Sequence, residues 1–400
     1  MSYTKNNHII YKKYCMLEEI IIVVALVIAF KKISLLTGIL CFLLVFMYIK
    51  NRLSTVIKFH MVTDENGMNE AIIMEAKLNK KYQTLFMLDT GYAGPPVLSS
   101  AYLSVHSSCT YGSVSERYKN SLKKLKSGIK EDDRHAAINK LLNDGKCQAF
   151  TSGCTMKLVG IGSIVEQQAD MLLCPMISFK NMFGWHVTTK NSQKVDADVL
   201  VTNSLPTSVN ILTCDYLMHS TPVMIDMRHE SLHLNMSNIK TISNISSFNM
   251  IPLKMMGGAF VIPIVIGGAH LEVTVDTGAP GPVCVGKNAL SKIKTCWNKN
   301  PKKISQRGVN GEEICSDIVF SSLKIAGLTF EKVGVFANNR NVEDVDGYIG
   351  LGVLRALDIL MMPEGIGFRK SGKVPRQTFN FAASGSCGNS DLVCSSHTPG

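Results

Sequence analysis

The residues best suited to chemistry in this chain are two aspartates. Asp89 ends the apolar run of LFMLDTG (85–91), Asp276 ends that of LEVTVDTG (271–278), and Thr-Gly follows each. A carboxylate delivered by a buried strand is penalised by desolvation and normally requires a partner. Each of these aspartates could be the other's partner. Two carboxylates within about 3 Å cannot both ionise cheaply, so the pair holds one proton between them. One group can then take a proton from water while the other donates one.

The flanks of the two tripeptides match as well. AIIMEAKLNKKYQTLFMLDTG (71–91) can be laid on AFVIPIVIGGAHLEVTVDTG (259–278) with one single-residue gap, and GPPVLSSAYL (94–103) matches GPVCVGKNAL (281–290) within a residue. Both copies read as a strand, a turn at Asn79-Lys80 or Gly267-Gly268, and a second strand that carries the aspartate. The chain therefore contains an internal repeat, with Asp89 and Asp276 at equivalent places 187 residues apart.

Over roughly residues 57 to 382 the sequence resembles the bilobal, pepsin-like and retropepsin-like aspartic peptidases, in which each lobe supplies one Asp-Thr-Gly. Late in each lobe that family also places a strand of two hydrophobic residues and a glycine behind the catalytic loop. DGYIGLGVLRALDIL (346–360) fits through Tyr348, Ile349 and Gly350. The first lobe departs from the pattern. Its counterpart is Ile211-Leu212-Thr213 or Val199-Leu200-Val201, neither with the glycine; the first is preferred because Leu217 and Asp226 continue the family's rhythm. Tyr92 stands where relatives carry a small or hydroxyl residue. The implied fold is all-β, with two β-barrel lobes.

The resemblance implies an aspartic endopeptidase, a hydrolase of polypeptide substrates that needs neither cofactor nor metal. Asp89 and Asp276 would be catalytic. Thr90 and Thr277 would tie the two loops together through hydroxyl-to-backbone hydrogen bonds, while Gly91 and Gly278 let amides approach the carboxylates. For the flap over the substrate, RGVNGEE (307–313) offers the hairpin dipeptide Asn310-Gly311 in the second lobe. In the first lobe, FTSGC (150–154) with Gly153 is preferred over Tyr111-Gly112. The first-lobe flap falls late because a charged, helix-favouring insertion (115–146) precedes it, read as a solvated surface or a contact for substrate or partner. The rival class is a bilobal protein that binds extended peptide by strand addition without cutting it.

Composition supports this division. The 31 glycines and many short β-branched runs favour an all-β body, and the net charge of +11 is scattered with no aromatic-interleaved basic stripe, which argues against nucleic acid. Two apolar runs open the chain, at 20–30 and 33–49, and the second just reaches membrane-spanning length. The expectation is a single-pass N-terminal transmembrane helix within residues 1–56, then lobes at 57–240 and 241–382, a flexible tail at 383–400, and a monomer. Flanking charges balance at three against three, so orientation stays open, and the sequons at Asn235 and Asn244 would matter only on a lumenal face. Cys147 and Cys154 read as a disulfide bracing the flap or as two thiols.

Overall fold

The computed structural model describes residues 35–375 apart from connecting segments, the longest being 189–197, 235–244 and 294–302. The chain divides into two compact units, 1–53 and 54–400. In the first, helix α1 (Leu35–Leu53) exposes apolar side chains such as Phe42, Leu44 and Met47. Among the described residues, however, no helix is long and apolar enough to cross a membrane. The physical reason is length: the last turn of α1 holds Lys50, Asn51 and Arg52. About 22 Å of apolar helix precedes them, short of the roughly 30 Å hydrocarbon core. The expected single-pass anchor, and a membrane location resting on it, are therefore corrected. The apolar run at 20–30, the two sequons, Cys147 and the tail from 376 lie outside the described residues.

The second unit is mostly β-strand. Its N-terminal half runs β1 (Val56–Thr63), β2 (Glu70–Leu78), β3 (Tyr82–Asp89), β4 (Val97–Ser99), β5 (Gln148–Gly160), β6 (Ser163–Leu173), β7 (Ile177–Lys180), β8 (His186–Thr188), β9 (Asp198–Thr202), β10 (Asn210–Thr213), β11 (Val223–Asp226) and β12 (Ser231–His233). Helices α2 (Ser100–His106), α3 (Val114–Lys126) and α4 (Glu131–Asn143) lie between β4 and β5. The C-terminal half runs β13 (Asn249–Pro252), β14 (Lys254–Met256), β15 (Ala259–Ile266), β16 (Ala269–Asp276), β17 (Val283–Val285), α5 (Lys287–Leu290), β18 (Lys303–Arg307), β19 (Glu313–Ile325), β20 (Leu328–Ala337), β21 (Gly347–Gly350), α6 (Leu351–Leu354), β22 (Leu357–Met362) and β23 (Gly365–Lys370).

The repeat read from the sequence recurs in the pairing. Hairpin β2–β3 sets Met74 opposite Phe86, and hairpin β15–β16 sets the equivalent Ile262 opposite Val273. The second hairpin closes through Gly267 and Gly268, both at positive φ, which glycine adopts without steric cost. Behind each aspartate runs a parallel strand: β10 pairs with β3 to place Thr213 beside Asp89, and β21 pairs with β16 to place Gly350 beside Asp276. The first-half counterpart is thus Ile211-Leu212-Thr213, while Val199-Leu200-Val201 falls in the neighbouring strand β9.

A sheet in the order β13-β23-β22-β11-β12-β1 joins the halves, with β11 antiparallel to β22 and Met224 opposite Leu360. At this seam Asp358 of β22 accepts from the backbone N–H of Met227 (3.1 Å) and from Arg369 (2.7 Å), and Asp226 pairs with His229 (2.7 Å). Burial would raise Asp226, but the His229 bond and charge hold it below the usual carboxylate range, whereas burial and the charge of Asp226 keep Asp358 above it. Arg355, just after α6, reaches Glu70 of β2 at 2.8 Å and adds a second tie across the halves.

The insertion is helical, as its composition dictates. Ser113 caps α3 in a capping box with Glu116, and Glu131, Asp132 and Asp133 favour the N-terminus of α4. Arg117 of α3 pairs with Glu75 of β2, which also holds Lys180 of β7 at 2.8 Å.

Candidate active site

Strands β3 and β16 bring Asp89 and Asp276 to the same point. Strand β16 buries alternate residues and β3 buries Thr84, Leu85 and Phe86 in a row, and each releases its aspartate at the end, half-buried, into the turn that Thr-Gly makes. The two turns are locked by four hydrogen bonds in a two-fold pattern. Thr90 N–H donates to Thr277 Oγ1 (3.1 Å) and Thr277 N–H to Thr90 Oγ1 (2.9 Å). The same hydroxyls donate onward, Thr90 to the carbonyl of Val275 (2.8 Å) and Thr277 to that of Leu88 (2.8 Å). Both threonines are fully buried. Unpaired, these groups would cost about 1–3 kcal/mol apiece, so any slip of one loop against the other is opposed at four places.

Inside this frame each carboxylate accepts two amides of its own turn. Asp89 Oδ1 takes Gly91 N–H (2.9 Å) and Tyr92 N–H (3.1 Å), and Asp276 Oδ1 takes Gly278 N–H (2.8 Å) and Ala279 N–H (3.0 Å). That fixes one oxygen of each carboxyl and sets each carboxyl group against the glycine of the opposite turn. The glycines have a second necessity. A Cβ on Gly91 would fall 2.4 Å from Asp276 Cγ, and one on Gly278 would fall 2.5 Å from Asp89 Cγ. Each glycine makes room for the opposite half's aspartate.

Burial raises Asp89, an effect its hydrogen bonds from Asp276 and the turn amides only partly offset, and burial together with the charge of Asp89 raises Asp276 well above the usual range. The pair therefore shares one proton over a window reaching to milder pH than an isolated aspartate would. It titrates as a unit. Burial, then the nearby charge of Asp89, pushes the phenol of Tyr92 up to about 12, so it stays neutral. Among the described residues no group of three or more His, Cys, Asp or Glu is arranged to hold a metal ion.

The flap expectations fare differently. Strand β5 runs unbroken from Gln148 to Gly160, and its pairing with β6 puts Gly160 opposite Ser163, so the reversal follows Gly160. Gly153 lies inside the strand, between pairs where the register shifts, and not at a hairpin tip; glycine in a strand marks a bulge. Asn310 and Gly311 fall between β18 and β19, outside the described residues, with Arg307 opposite Glu313 on the flanking strands. Tyr111 is 91 % exposed at the start of the insertion.

Sequence reasoning missed Asn210. Fully buried beside β3, its side-chain oxygen accepts Ser99 N–H (3.0 Å), and its NH₂ donates to Thr84 Oγ1 (2.7 Å) and the carbonyl of Leu85 (3.1 Å). An asparagine opening the apolar run NILT was the available signal.

No protein-family model and no curated protein matches this chain. Among solved structures it is similar to the basic 7S globulin from soybean, at 9% identity and a TM-score of 0.45, over 82% of this chain and 99% of that one. It is also similar to a retropepsin-like aspartic protease from Rickettsia conorii, at 18% identity and a TM-score of 0.23, over 30% of this chain and 89% of that one.

Proposed function

We propose that this chain is an aspartic endopeptidase that hydrolyses polypeptides with Asp89, Asp276 and a water molecule. The observation that carries the reading is the two-fold-related cage of the dyad: two carboxyl groups side by side, each oriented by two amides, held by four threonine hydrogen bonds between the halves. The structural aspartates at the seam, Asp226 and Asp358, each pair with a basic side chain, whereas Asp89 and Asp276 meet turn amides and each other. The ionised member would take a proton from water lying between them, the water would attack the scissile carbonyl, and the protonated member would donate to the developing oxyanion. When the intermediate collapses, the carboxyl that took the water's proton passes it to the leaving nitrogen as the C–N bond breaks, and the other carboxylate recovers a proton from a hydroxyl of the intermediate as the carbonyl re-forms, so one proton again remains on the pair. The chemistry calls for no cofactor, and the scattered surface charge gives no footing for nucleic acid. We expect the enzyme to act as a monomer, since one chain supplies both aspartates.

A second reading, a protein that binds extended peptide without cutting it, is favoured by Thr213, which occupies the place of Gly350 behind the first aspartate. Incubating the protein with a mixed peptide library, wild type beside Asp89→Asn and Asp276→Asn, separates the two. Cleavage that is lost in both variants, with unfolding curves unchanged, supports the enzyme. Cleavage that survives either substitution removes the dyad, and library peptides retained but uncut by wild type establish the binder.

A further inference from the structure

The insertion builds a pocket of its own. Helices α2 and α4 and the turn between α3 and α4 line a cavity of about 670 Å³, in the size range of small-ligand sites. Its wall is mixed: Val105, Ile129, Ala137 and Tyr82, whose hydroxyl is committed to the carbonyl of Leu103 at 2.6 Å, give it apolar surface, and Ser104 and Ser127 give it polar surface. Lys124, Lys130 and Asp133 also line it. Among the described residues neither Lys130 nor Asp133 forms an ion pair, although the neighbouring Glu131 lies 3.9 Å from His135. Opposite charges three residues apart that leave each other unpaired, and border one cavity with apolar side chains in its wall, match a ligand carrying both charges on a partly apolar body.

We propose that this pocket binds short apolar peptides with both ends free, Lys130 taking the carboxylate, Asp133 the ammonium, and the apolar part of the wall the side chains. Such peptides are what an endopeptidase releases once its products are cut down, but the proposal does not rest on the dyad. Exposed charge pairs are worth little each, so binding is weak, in the millimolar range or somewhat tighter, suited to sensing accumulated peptide and not to holding it.

The test titrates the full chain with Leu-Leu, its N-acetyl derivative and its C-terminal amide, following binding by calorimetry. Leu-Leu should bind, and capping either end should weaken it at least threefold. In Asp133→Asn the acetyl cap should cost nothing further, and in Lys130→Gln the amide cap should cost less than in wild type. Unfolding curves check that both variants fold. Absence of millimolar binding, or a capping penalty undiminished in both variants, overturns the proposal. Cleavage of library peptides by Lys130→Gln should match wild type. Its loss would place Lys130 in substrate handling and also overturn the proposal, whereas failure of the dyad reading would leave the titrations unchanged.

Discussion

The two halves agree around the aspartates and differ one layer behind them. In the C-terminal half the strand behind the loop is pressed close: a Cβ on Gly350 would fall 2.2 Å from the carbonyl of Gly281, and the amides of Gly350, Leu351 and Gly352 donate to the carbonyls of Pro282, Ala279 and Gly281. In the N-terminal half the equivalent position is Thr213, fully buried, whose hydroxyl accepts Tyr216 N–H at 3.2 Å. The next layer shows the same exchange. The amide of Gly286 is satisfied by the backbone carbonyl of Asp346, and the backbone amide of Asp346 by the carbonyl of Glu272. At the matching places, 187 residues earlier, Ser99 N–H and the carbonyl of Leu85 are both satisfied by the side chain of Asn210. Carboxylate geometry tolerates no divergence, because each half touches the other's aspartate. The support behind it needs only to satisfy the same backbone groups, by main chain or side chain.

The sharpest way to break this comparison is at the glycines that should be equivalent. Gly91→Ala and Gly278→Ala should each lower peptide cleavage by on the order of a hundredfold or more, because the new methyl displaces the opposite carboxylate and misplacement of reacting groups by about 1 Å costs that much. Steady-state kinetics on one peptide would measure both. A large loss in one and none in the other would mean that the dyad is not symmetrically held.

Exchanging the layer behind should give unequal results. Gly350→Thr drives a side chain into the carbonyls of Gly281 and Ala279 and should cost more than about 3 kcal/mol. Thr213→Gly loses one hydrogen bond and adds backbone freedom, roughly 1–2 kcal/mol. Urea unfolding would rank them. Asn210→Ala, stripping the partner from two buried backbone groups, should cost about 2–4 kcal/mol. Asp346→Ala removes only a side chain that meets Lys292 and the amide of Glu272 near the surface, so it should cost less than about 1 kcal/mol. Equal costs for these two would end the claim that Asn210 replaces main-chain support.

Acid should separate the halves as well. Burial lowers His106 of α2 from 6.5 to about 4, with its Nδ1 at 3.3 Å from Ser121 Oγ. A folded-state value below the unfolded one means that the unfolded chain takes the proton first, so the stability due to a neutral His106 is full above pH 6.5 and is lost as pH falls towards 4. The loss reaches roughly 3 kcal/mol at most. Buried His233, also lowered to about 4 by burial, acts in the same sense at the seam. His106→Leu should flatten part of the decline in unfolding free energy between pH 7 and 4.5, and an unchanged slope would clear His106 of the effect. The smallest effect concerns the dyad itself. Neither Tyr92 nor Ala279 puts a short hydroxyl beside the carboxylates, so the raised dyad should work best at roughly pH 5 to 6.5. Ala279→Ser should move the acidic limb of the rate profile downward by a fraction of a unit; an unmoved limb, or a wild-type optimum below about pH 4, counts against this tuning.

Much of this site is legible in the sequence because its determinants are local. Asp-Thr-Gly after an apolar run encodes a strand, its end and its turn within eight residues, and repetition of that segment implies two such structures. The helical insertion is equally local, written in its capping box and charge. What escaped were features that local propensity does not fix. Gly153 looks like a turn residue yet lies inside a long strand, since pairing with β6 and not local propensity fixes where that hairpin reverses. The apolar run of α1 suggested a membrane span, but the polar turn at its end leaves it short. By itself, then, the sequence determined the two carboxylates, their turns and their two-fold repetition, which short-range sterics and periodicity specify. Only the tertiary structure decided that the carboxylates meet, that each glycine clears space for the other half's aspartate, and that Asn210 and Thr213 stand in for main chain and glycine. Those facts depend on contacts between residues more than a hundred positions apart, which no local pattern records.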